Sequence, residues 1–363
     1  MLRRELADRY EPGQRFPSQN ELAERFGLAA TTVREAVGML VQEGLLERRR
    51  GSGTYVTGRR PESYVGVLIE LDISHPATSY HWLRTTQSLR RWFDERGFRT
   101  RLYAGHTGPY DPTPDQPTCP EFWTDLRAGR IKALAVVCTQ LHGETLQEIA
   151  GRGIPFFPGT HPADTRLIDG VEIVRRGARA LIEANRTRLA FVERAGPGQA
   201  SPARKAFVAE LEAAGLDVRP HWLEGVVPDR LSGPASAAFR RIWEAESEKP
   251  DGLMVTDDTF YDDIASLLLA NRIAVPEQLA VACHTNKGAP PPPVPPSIRV
   301  EIDPDELARL VGENLVLRMA NPDAPATGLP VSVEVIRGAE GATDYGLDPA
   351  RGRGASATKT EVR

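Results

Sequence analysis

The sequence has few cysteines and no long uninterrupted apolar segment. Its three cysteines, Cys119, Cys138 and Cys283, are unevenly spaced, which argues against a disulfide framework and against a zinc cluster. No apolar run approaches the roughly 18 residues that a membrane helix needs. The N-terminal segment MLRRELADRYEP lacks the apolar stretch of a signal peptide. These absences predict a cytoplasmic protein that has no membrane partner.

Motifs for catalysis and for metal binding are also missing. The seven histidines are scattered, with no HExxH pattern and no Cys/His pair at metal spacing. There is no GxSxG nucleophile elbow and no phosphate-binding P-loop. Only five lysines occur, and none lies in a context that suggests a lysine bound to pyridoxal phosphate. The sequence therefore predicts a protein that is not an enzyme and uses neither a cofactor nor a metal ion.

Charge is distributed unevenly along the 363 residues. Residues 1–60 contain 11 arginines and 8 acidic residues, a net charge of +3, so the whole-chain charge of −4 leaves −7 for the remainder. The length suffices for two or three domains with substantial cores. A small basic segment on an acidic body favours contact between that segment and phosphates.

Residues 1–57 contain the pattern of a helix-turn-helix. A short helix is predicted over residues 2–10. Ser18 and Glu21 then have the spacing of a capping box, which predicts the start of a second helix. Gly27 supplies the tight turn that a helix-turn-helix requires.

The third predicted helix runs from about Ala30 to Glu43, and its N-terminal end is polar. Thr31, Thr32 and Arg34 cluster there and face away from the apolar side of the helix. In a helix-turn-helix this end points at the edges of the bases. The following LLERRRGSGTYV predicts a hairpin with three arginines before its tip.

This N-terminal segment resembles the winged helix-turn-helix of GntR-family transcription regulators. Their pattern PGxxLPSExxLAxxFGVSRxTVRxALxxLxxEGLLxxxxGxGTxV matches PGQRFPSQNELAERFGLAATTVREAVGMLVQEGLLERRRGSGTYV. The resemblance implies binding to double-stranded operator DNA. The residues implied in DNA binding are Ser18, Thr31, Thr32 and Arg34, with Gly51 at the wing tip near the minor groove and Arg48, Arg49 and Arg50 attracting the backbone.

The segment departs from the family pattern at three positions. Ala29-Ala30 replaces Ser-Arg before the threonines, and Asn20 stands where the family often has arginine. A bidentate arginine–guanine contact discriminates between bases by about 1–3 kcal/mol, so we expect altered or weakened base readout. The first helix is short at its start, which leaves open whether Met1 is the true beginning.

From Tyr64 onward, apolar strand segments alternate with amphipathic helices, after a polar linker at residues 58–63. This order predicts parallel sheets with crossover helices, arranged as two lobes. The first lobe is predicted at about 64–160 plus 290–320, and the second at about 161–289 plus 321–338. Residues 339–363 are predicted to form a flexible tail.

The body, residues 64–338, resembles the effector-binding domain of LacI/GalR-type regulators, which is related to periplasmic sugar-binding proteins. The segments that carry this resemblance are GVLIE, IPFF, RLAFVE, SPARKAF, VTDD, IAVPEQLAVACH and PSIRVEIDPDELARLVGENLVLRM. A GntR-type head on such a body is the arrangement of AraR-like regulators. The predicted fold class is therefore multidomain: a small α+β winged helix-turn-helix domain followed by an α/β, two-lobed, periplasmic-binding-protein-like domain with parallel sheets.

The resemblance implies a small polar effector in the cleft between the lobes, beyond the carboxyl ends of the strands. Arg204 matches the family's ligand-contacting arginine, although it could instead be a surface arginine of an amphipathic helix. Of Asp257 and Asp258, we expect the first to face the ligand and the second to cap a helix.

Thr285, next to His284, replaces an aspartate that usually grips a sugar in this family. This replacement counts against a standard monosaccharide. Tyr80, Trp82 and His75 are further effector candidates, since an aromatic residue commonly stacks on the ligand in this region. Each of them could equally pack in the core of the lobe.

These patterns predict a sequence-specific DNA-binding transcription regulator, expected to be a repressor, that acts as a homodimer in the nucleoid. A small polar effector, a sugar or a related metabolite, would control its affinity for the operator. One alternative is a small-molecule-binding protein whose head has degenerated, as Ala29 and Ala30 suggest. The other is a DNA-binding head fused to an enzyme.

Overall fold

The structure is a computed structural model. It describes residues 2–42, 44–57, 63–75, 78–108, 114–137, 141–158, 167–194, 201–227, 233–245, 247–289, 296–328 and 330–337. The predicted linker, apart from Ser63, and the predicted tail at 339–363 lie outside the described residues, as do Met1 and Cys138. The chain divides into two compact units. The first comprises Met1–Thr78, Thr85–Thr165 and Ala308–Thr327, and the second comprises Ser79–Arg84, Arg166–Leu307 and Gly328–Arg363.

Residues 2–57, in the first unit, form helices and a small antiparallel sheet. The helices are α1 (Leu2–Arg9), α2 (Gln19–Phe26) and α3 (Ala30–Gln42), and the strands are β1 (Arg15–Phe16), β2 (Leu46–Arg49) and β3 (Gly53–Val56). In the sheet, β3 pairs with β1 on one side and with β2 on the other. The predicted winged helix-turn-helix is confirmed. The sequence did not predict β1, because a two-residue strand has no readable alternation.

Local hydrogen bonds fix the start and the end of α2. The Ser18 hydroxyl accepts from the Glu21 backbone N–H at 3.3 Å, and the Glu21 carboxylate accepts from the Ser18 N–H at 2.7 Å. The predicted capping box is thus confirmed, and such a cap contributes about 1 kcal/mol. Gly27 ends the helix with φ +65°, a conformation that favours glycine. The core of this domain consists of Leu2, Leu6, Phe16, Leu22, Val33, Val37, Leu40, Leu45, Leu46 and Val56.

The rest of the first unit is built on a parallel sheet in the order β5-β4-β6-β7. Its strands and the intervening helices are β4 (Tyr64–Leu71), α4 (Tyr80–Asp94), β5 (Thr100–Thr107), α5 (Pro120–Arg127), β6 (Ile131–Val137), α6 (Gly143–Gly151) and β7 (Phe156–Phe157). The division between the units falls within α4, after Arg84. The sequence did not predict α5, an eight-residue helix that follows a proline-rich stretch.

A buried carboxylate ties α5 to the neighbouring sheet. Asp125 is 1% exposed. It accepts from the Tyr103 hydroxyl at 2.8 Å and pairs with Arg101 at 2.7 Å and with Arg130 at 3.0 Å. Burial, followed by this hydrogen bond, raises the pKa of Tyr103, so the phenol remains a donor. These polar contacts, together with the buried Phe122 and Leu126, hold the short helix to the strands.

The second unit contains a six-stranded sheet in the order β13-β12-β11-β10-β8-β9. Its elements are α7 (Gly170–Glu183), β8 (Leu189–Arg194), α8 (Pro202–Ala213), β9 (Leu223–Val226), α9 (Pro234–Glu244), β10 (Gly252–Val255), α10 (Asp258–Ala270), β11 (Ala280–Asn286), β12 (Ile298–Ile302) and β13 (Val333–Ile336), with α11 (Pro304–Ala320) between the last two strands. All neighbouring strands are parallel except β12 and β13. The predicted α/β class with mostly parallel sheets is confirmed.

One predicted boundary needs correction. The sequence analysis placed residues 290–320 in the first lobe, but β12 pairs in parallel with β11 and belongs to the second unit. The chain returns to the first unit at Ala308, within α11, and passes back to the second unit after Thr327. The physical reason is that the backbone of β12 forms hydrogen bonds with the free edge of β11. Sequence periodicity does not reveal which strands pair in this way.

Candidate functional site

The N-terminal end of α3 exposes the polar side chains predicted to read DNA. Thr31, Thr32 and Arg34 are all exposed, whereas Val33 and Val37 on the opposite side are buried in the core. The face that carries the three polar residues is therefore open to a partner. Ser18 is also exposed, at the start of α2. The direct contribution of these four residues to DNA binding stays a prediction.

The hairpin formed by β2 and β3, here called the wing, presents Arg48, Arg49 and Arg50, all of them exposed. Arg49 is held within the wing, 3.6 Å from Glu47 and 4.6 Å from the centre of the Tyr55 ring. Among the described residues, neither Arg48 nor Arg50 has an acidic partner within ion-pair distance. Gly51 at the tip adopts φ +75°, which favours glycine. The wing therefore presents uncompensated positive charge beside a tight turn.

The start of α3 offers methyl groups where the family offers an arginine. Ala29 and Ala30 are exposed, so they are not needed for the core. Because neither side chain has a polar atom, they can contact a thymine methyl group but cannot donate to a guanine. The expected change in base readout is thus consistent with the geometry and stays a prediction.

In the second unit, polar residues follow the carboxyl ends of β8, β10 and β11, where an effector is expected. Asp257 is the N-cap of α10, since its side chain accepts from the Thr259 backbone N–H at 3.0 Å. It also pairs with Arg194 at 2.6 Å. The prediction that Asp258 would be the cap is therefore wrong. The physical reason is that Asp257 has the extended backbone of a cap, with φ −148° and ψ 128°. A ligand contact by Asp257 stays a prediction.

Asp258 is partly buried, and its carboxylate is the more strongly desolvated of the two. Desolvation, reinforced by the neighbouring charge of Asp257, raises its pKa to about 6. Its side chain accepts from the amide of Asn286 at 2.8 Å, which opposes that rise. The group thus titrates close to neutral pH, a property that is frequent at functional sites and also occurs in structural ion networks.

We expect Asp258→Asn to stabilise the protein at pH 7.5 by about 1–3 kcal/mol, as judged from urea unfolding. The pKa of Asp258 rises from 3.8 to about 6 on folding, so the folded protein binds this proton more tightly than the unfolded chain. The stabilisation that protonated Asp258 contributes is therefore complete below pH 3.8 and is lost as pH rises through about 6. The advantage of the variant should shrink toward pH 4.

Asp257→Ala provides a comparison of opposite sign at the adjacent position. This variant removes the cap on Thr259 and the ion pair with Arg194, so it should destabilise the protein at pH 7.5 by about 1 kcal/mol. A pH-independent difference between Asp258→Asn and the wild-type protein would contradict the assigned burial of Asp258.

Arg204 lies in the first turn of α8, and its charge is already paired. Its Nε donates to the Glu193 carboxylate at 2.7 Å, and Glu193 is almost fully buried. The Ser201 hydroxyl donates to the other oxygen of Glu193 at 2.5 Å. The buried Nη2 of Arg204 has no hydrogen-bond partner among the described residues. A ligand could therefore take up this one donor, so the predicted effector role of Arg204 remains open.

The remaining candidates are distributed over both units. Tyr80, in the first turn of α4, donates its hydroxyl to the Gly288 carbonyl at 3.0 Å within the second unit. Thr285 is buried in β11, and its hydroxyl has no partner in the described part of the chain. His75 is half-buried and belongs to the first unit. Trp82 packs edge-on against His81. The effector roles of these residues are untested.

Three residues near these candidates were not predicted. His81 and Asn286 are hydrogen-bonded to each other at 2.9 Å, and Arg194 pairs with Asp257. The rule that ligands bind beyond the carboxyl ends of strands could have identified Arg194 and Asn286, which end β8 and β11. His81 had no such signal beyond its neighbour Tyr80. In the described ranges, no three His, Cys, Asp or Glu residues could hold a metal ion together, and no helix is long and apolar enough to cross a membrane.

Two family models match this chain in sequence. The model described as bacterial regulatory proteins, gntR family, matches residues 1–56, and the model described as periplasmic binding protein-like domain matches residues 178–339. The chain thus carries a GntR-type helix-turn-helix domain at its N-terminus and a periplasmic-binding-protein-like domain after it. Both resemblances inferred from the motifs are confirmed.

The curated sequence relatives match short parts of the chain. The Uxu operon regulator of Haemophilus influenzae is 48% identical over 54 residues, which are 15% of this chain and 20% of that protein. The arabinose metabolism transcriptional repressor of Geobacillus stearothermophilus is 28% identical over 97 residues, which are 27% of either chain. The chain therefore covers only about a fifth to just over a quarter of the length of these relatives.

Solved structures share the fold of the body. A regulatory protein of the LacI family from Chloroflexus aggregans superposes with a TM-score of 0.60 and 16% identity, covering 77% of this chain and 98% of that one. A LacI-type transcriptional regulator from Bacillus cereus gives a TM-score of 0.59 and 14% identity over 76% of this chain and 97% of that one. At these identities the likeness establishes the fold.

Proposed function

Since the chain joins an N-terminal GntR-type helix-turn-helix domain to a periplasmic-binding-protein-like domain, we propose that it is a ligand-responsive transcription repressor. It binds a specific operator in double-stranded DNA and releases it when a small polar effector binds. It acts in the cytoplasm, at the nucleoid, and catalyses no reaction. The relatives named as a regulator and a repressor support this function.

The observation that carries the proposal is the polar, exposed start of α3 on a capped helix-turn-helix. Thr31, Thr32 and Arg34 share one exposed face, and the arginines of the wing lie in the same domain. Hydroxyls and guanidinium groups bind phosphates and base edges. If these side chains served only to pack the domain, their face of α3 would be buried. The domain instead buries the opposite face, which carries Val33 and Val37.

The repressor acts as a homodimer, since two identical heads related by a two-fold axis match a pseudo-palindromic operator. The effector is a sugar or a related polar metabolite that the polar strand ends of the body hold by hydrogen bonds. Effector binding and operator binding are then coupled, and each changes the affinity for the other by the same factor.

The test is to select duplexes from a random-sequence DNA pool with the full-length chain and to measure release of the enriched duplex by candidate effectors. We expect a pseudo-palindromic consensus and weaker binding of that duplex in the presence of one ligand. A pool that shows no enrichment, with binding that does not depend on salt, would reject the DNA-binding function. It would instead favour the alternative of a degenerate head, which the exposed Ala29 and Ala30 suggest.

The wing supplies a prediction of its own. Replacing Arg48 by alanine should lower the slope of log affinity against log salt concentration by about 0.9 for each phosphate that is no longer neutralised. The reason is that Arg48 is exposed and has no acidic partner among the described residues. Fluorescence anisotropy of the selected duplex at several KCl concentrations measures this slope. Arg240→Ala, which removes an exposed arginine of α9, should leave it unchanged, and an equal effect of both variants would contradict the role of the wing.

A further inference from the structure

Two imidazoles in the second unit each have a buried ring nitrogen without a hydrogen-bond partner among the described residues. His81 lies in the first turn of α4 and is 5% exposed, and His284 lies near the end of β11. The Nε2 atom of each is buried, and neither has a hydrogen-bond partner among the described residues. A buried polar atom without a partner is uncommon in folded proteins and calls for an explanation.

The hydrogen bonds of Asn286 define the tautomer of His81. The Asn286 amide nitrogen donates to the Asp258 carboxylate at 2.8 Å, so its oxygen faces the His81 ring at 2.9 Å from Nδ1. Nδ1 must then carry the proton. Burial, followed by the nearby His284, lowers the pKa of His81 to about 4, so the ring is neutral at pH 7. Its Nε2 therefore presents a lone pair.

His284 is in the same state for a similar reason. Burial lowers the pKa of its ring and outweighs the charge of Asp257 and the nearby Thr256 backbone, which both raise it. The tautomer with its proton on Nδ1 leaves Nε2, which is buried and has no hydrogen-bond partner among the described residues, as a second acceptor.

The two acceptors lie close to each other. Side chains two residues apart on a strand point to the same face of the sheet, so His284 and Asn286 share a face of β11. His81 contacts Asn286 directly, and a charge on His284 would lower the pKa of His81. The imidazoles therefore form a pair beside the Asn286–Asp258 hydrogen bond.

The charged groups that act on this pair do not favour an anion. Neither imidazole has its pKa shifted by a lysine or an arginine, whereas the charge of Asp257 raises the pKa of His284. Arg194 is paired with Asp257, and the Nε of Arg204 is paired with Glu193. Asp258, on the other side of Asn286, has its carboxyl group hydrogen-bonded to that amide. An acidic ligand group at the imidazole pair would face two lone pairs and a carboxylate. A hydroxyl or amino group would instead donate to the lone pairs.

We propose that His81 and His284 form a subsite that receives a hydroxyl or amino group of the effector, and that the effector carries no carboxylate or phosphate at this position. The inference rests on the proposed function, and it predicts that an uncharged or amino-bearing polyhydroxyl compound binds better than the matched acid or phosphate. The histidines act as specificity-determining acceptors.

The experiment is a thermal-shift screen of the full-length chain at pH 7.5, followed by calorimetry of each hit. The probes form matched sets: glucose, glucosamine, glucuronate and glucose 6-phosphate, then arabinose and arabinonate, and finally inositol and inositol phosphate. We expect hits among the uncharged or amino compounds, and binding at least tenfold weaker for the matched acid or phosphate. Preferential binding of an acid or a phosphate would overturn the inference, and so would the absence of any hit among the uncharged and amino probes.

Variants connect a hit to the two histidines. His81→Phe and His284→Phe keep a ring but remove the acceptor, so each should weaken the bound probe at least tenfold. His81→Gln, which keeps an acceptor, should recover part of the affinity. His221→Phe makes the same change at an exposed position of the same unit and should have no effect. Unchanged affinity in both Phe variants would overturn the inference.

If a Phe variant does not fold, ¹⁵N spectra of the wild-type imidazoles test whether the two Nε2 atoms contact the probe. Two nonprotonated Nε2 signals that shift when the probe is added support the subsite, whereas protonated Nε2 atoms, or signals that do not respond, reject it. Failure here is distinguishable from failure of the proposed function. A sugar acid that releases the operator in preference to the uncharged sugar would reject only the proposed subsite. Loss of sequence-specific DNA binding would reject only the proposed repressor function.

Discussion

Arg34→Ala is expected to reduce specific operator binding nearly to the level of non-specific binding. Arg34 is exposed at the start of α3, and Ala29-Ala30 leaves that helix without the arginine of the family pattern. An arginine contact to a base discriminates by about 1–3 kcal/mol, so the two half-sites bound by the proposed dimer lose about 2–6 kcal/mol. At about 1.4 kcal/mol for each tenfold change, this is a weakening of about 30-fold to 20,000-fold.

The measurement is a titration of the selected duplex and of a scrambled duplex with the wild-type and Arg34→Ala proteins. Affinity for the scrambled duplex should change little, and affinity for the effector should be retained, because Arg34 belongs to the head. Arg240→Ala serves as the control for removal of an exposed arginine. A variant that still discriminates between the two duplexes as the wild type does would refute the role of Arg34.

Asp125→Ala is expected to cause a larger loss of stability than any other substitution proposed for this protein. The carboxylate is buried and is shared by Tyr103, Arg101 and Arg130. Removing one partner of a buried ion pair costs about 3–5 kcal/mol. Both arginine side chains are slightly more than a third exposed, at 38% and 35%. Water can therefore replace part of the ion pairing that the substitution removes. We therefore expect about 3 kcal/mol.

Hydrogen exchange at the amides of α5 and β6 is the suitable measurement, because unfolding of a chain with several domains need not follow a two-state transition. Glu148→Ala is the matched control. It removes a carboxylate–guanidinium pair with Arg152 on the exposed side of α6, a kind of pair that contributes about 0.3–0.5 kcal/mol. Equal loss of protection in the two variants would show that the Asp125 network does not anchor α5.

The elements that could be predicted from the sequence are those governed by short-range interactions. The capping box of Ser18 and Glu21 and the left-handed Gly27 join residues only a few positions apart. The buried strands β4, β6, β8, β10 and β11 are apolar runs between turn signals, which is typical of parallel sheets. By contrast, α5 was missed because eight residues are too few to show a clear helical periodicity. Its contacts, the burial of Phe122 and Leu126 and the hydrogen bond of Asp125 with Tyr103 in β5, depend on distant segments.

The candidate effector residues also divide into features that the sequence predicted and features that depend on distant contacts. That polar groups follow β10 and β11 was readable, and Asp257, Thr285 and His284 were noted on that basis. The roles of Asp257 and Asp258 were not readable, because both precede the same helix and both can accept from the same backbone. Their roles follow from contacts with Arg194 and Asn286, which are 63 and 28 residues away.

The sequence by itself determined the two-part architecture and the exposed reading face of α3, because capping, glycine turns and hydrophobic periodicity act between near neighbours. Only the tertiary structure decided where β12 belongs, which aspartate caps α10, and which carboxylates pair with Arg194 and Arg204. It also brought His81 to Asn286 across 205 residues. The physical reason is that the state of a polar side chain is determined by burial and by partners from distant segments, and these exist only once the sheets are assembled.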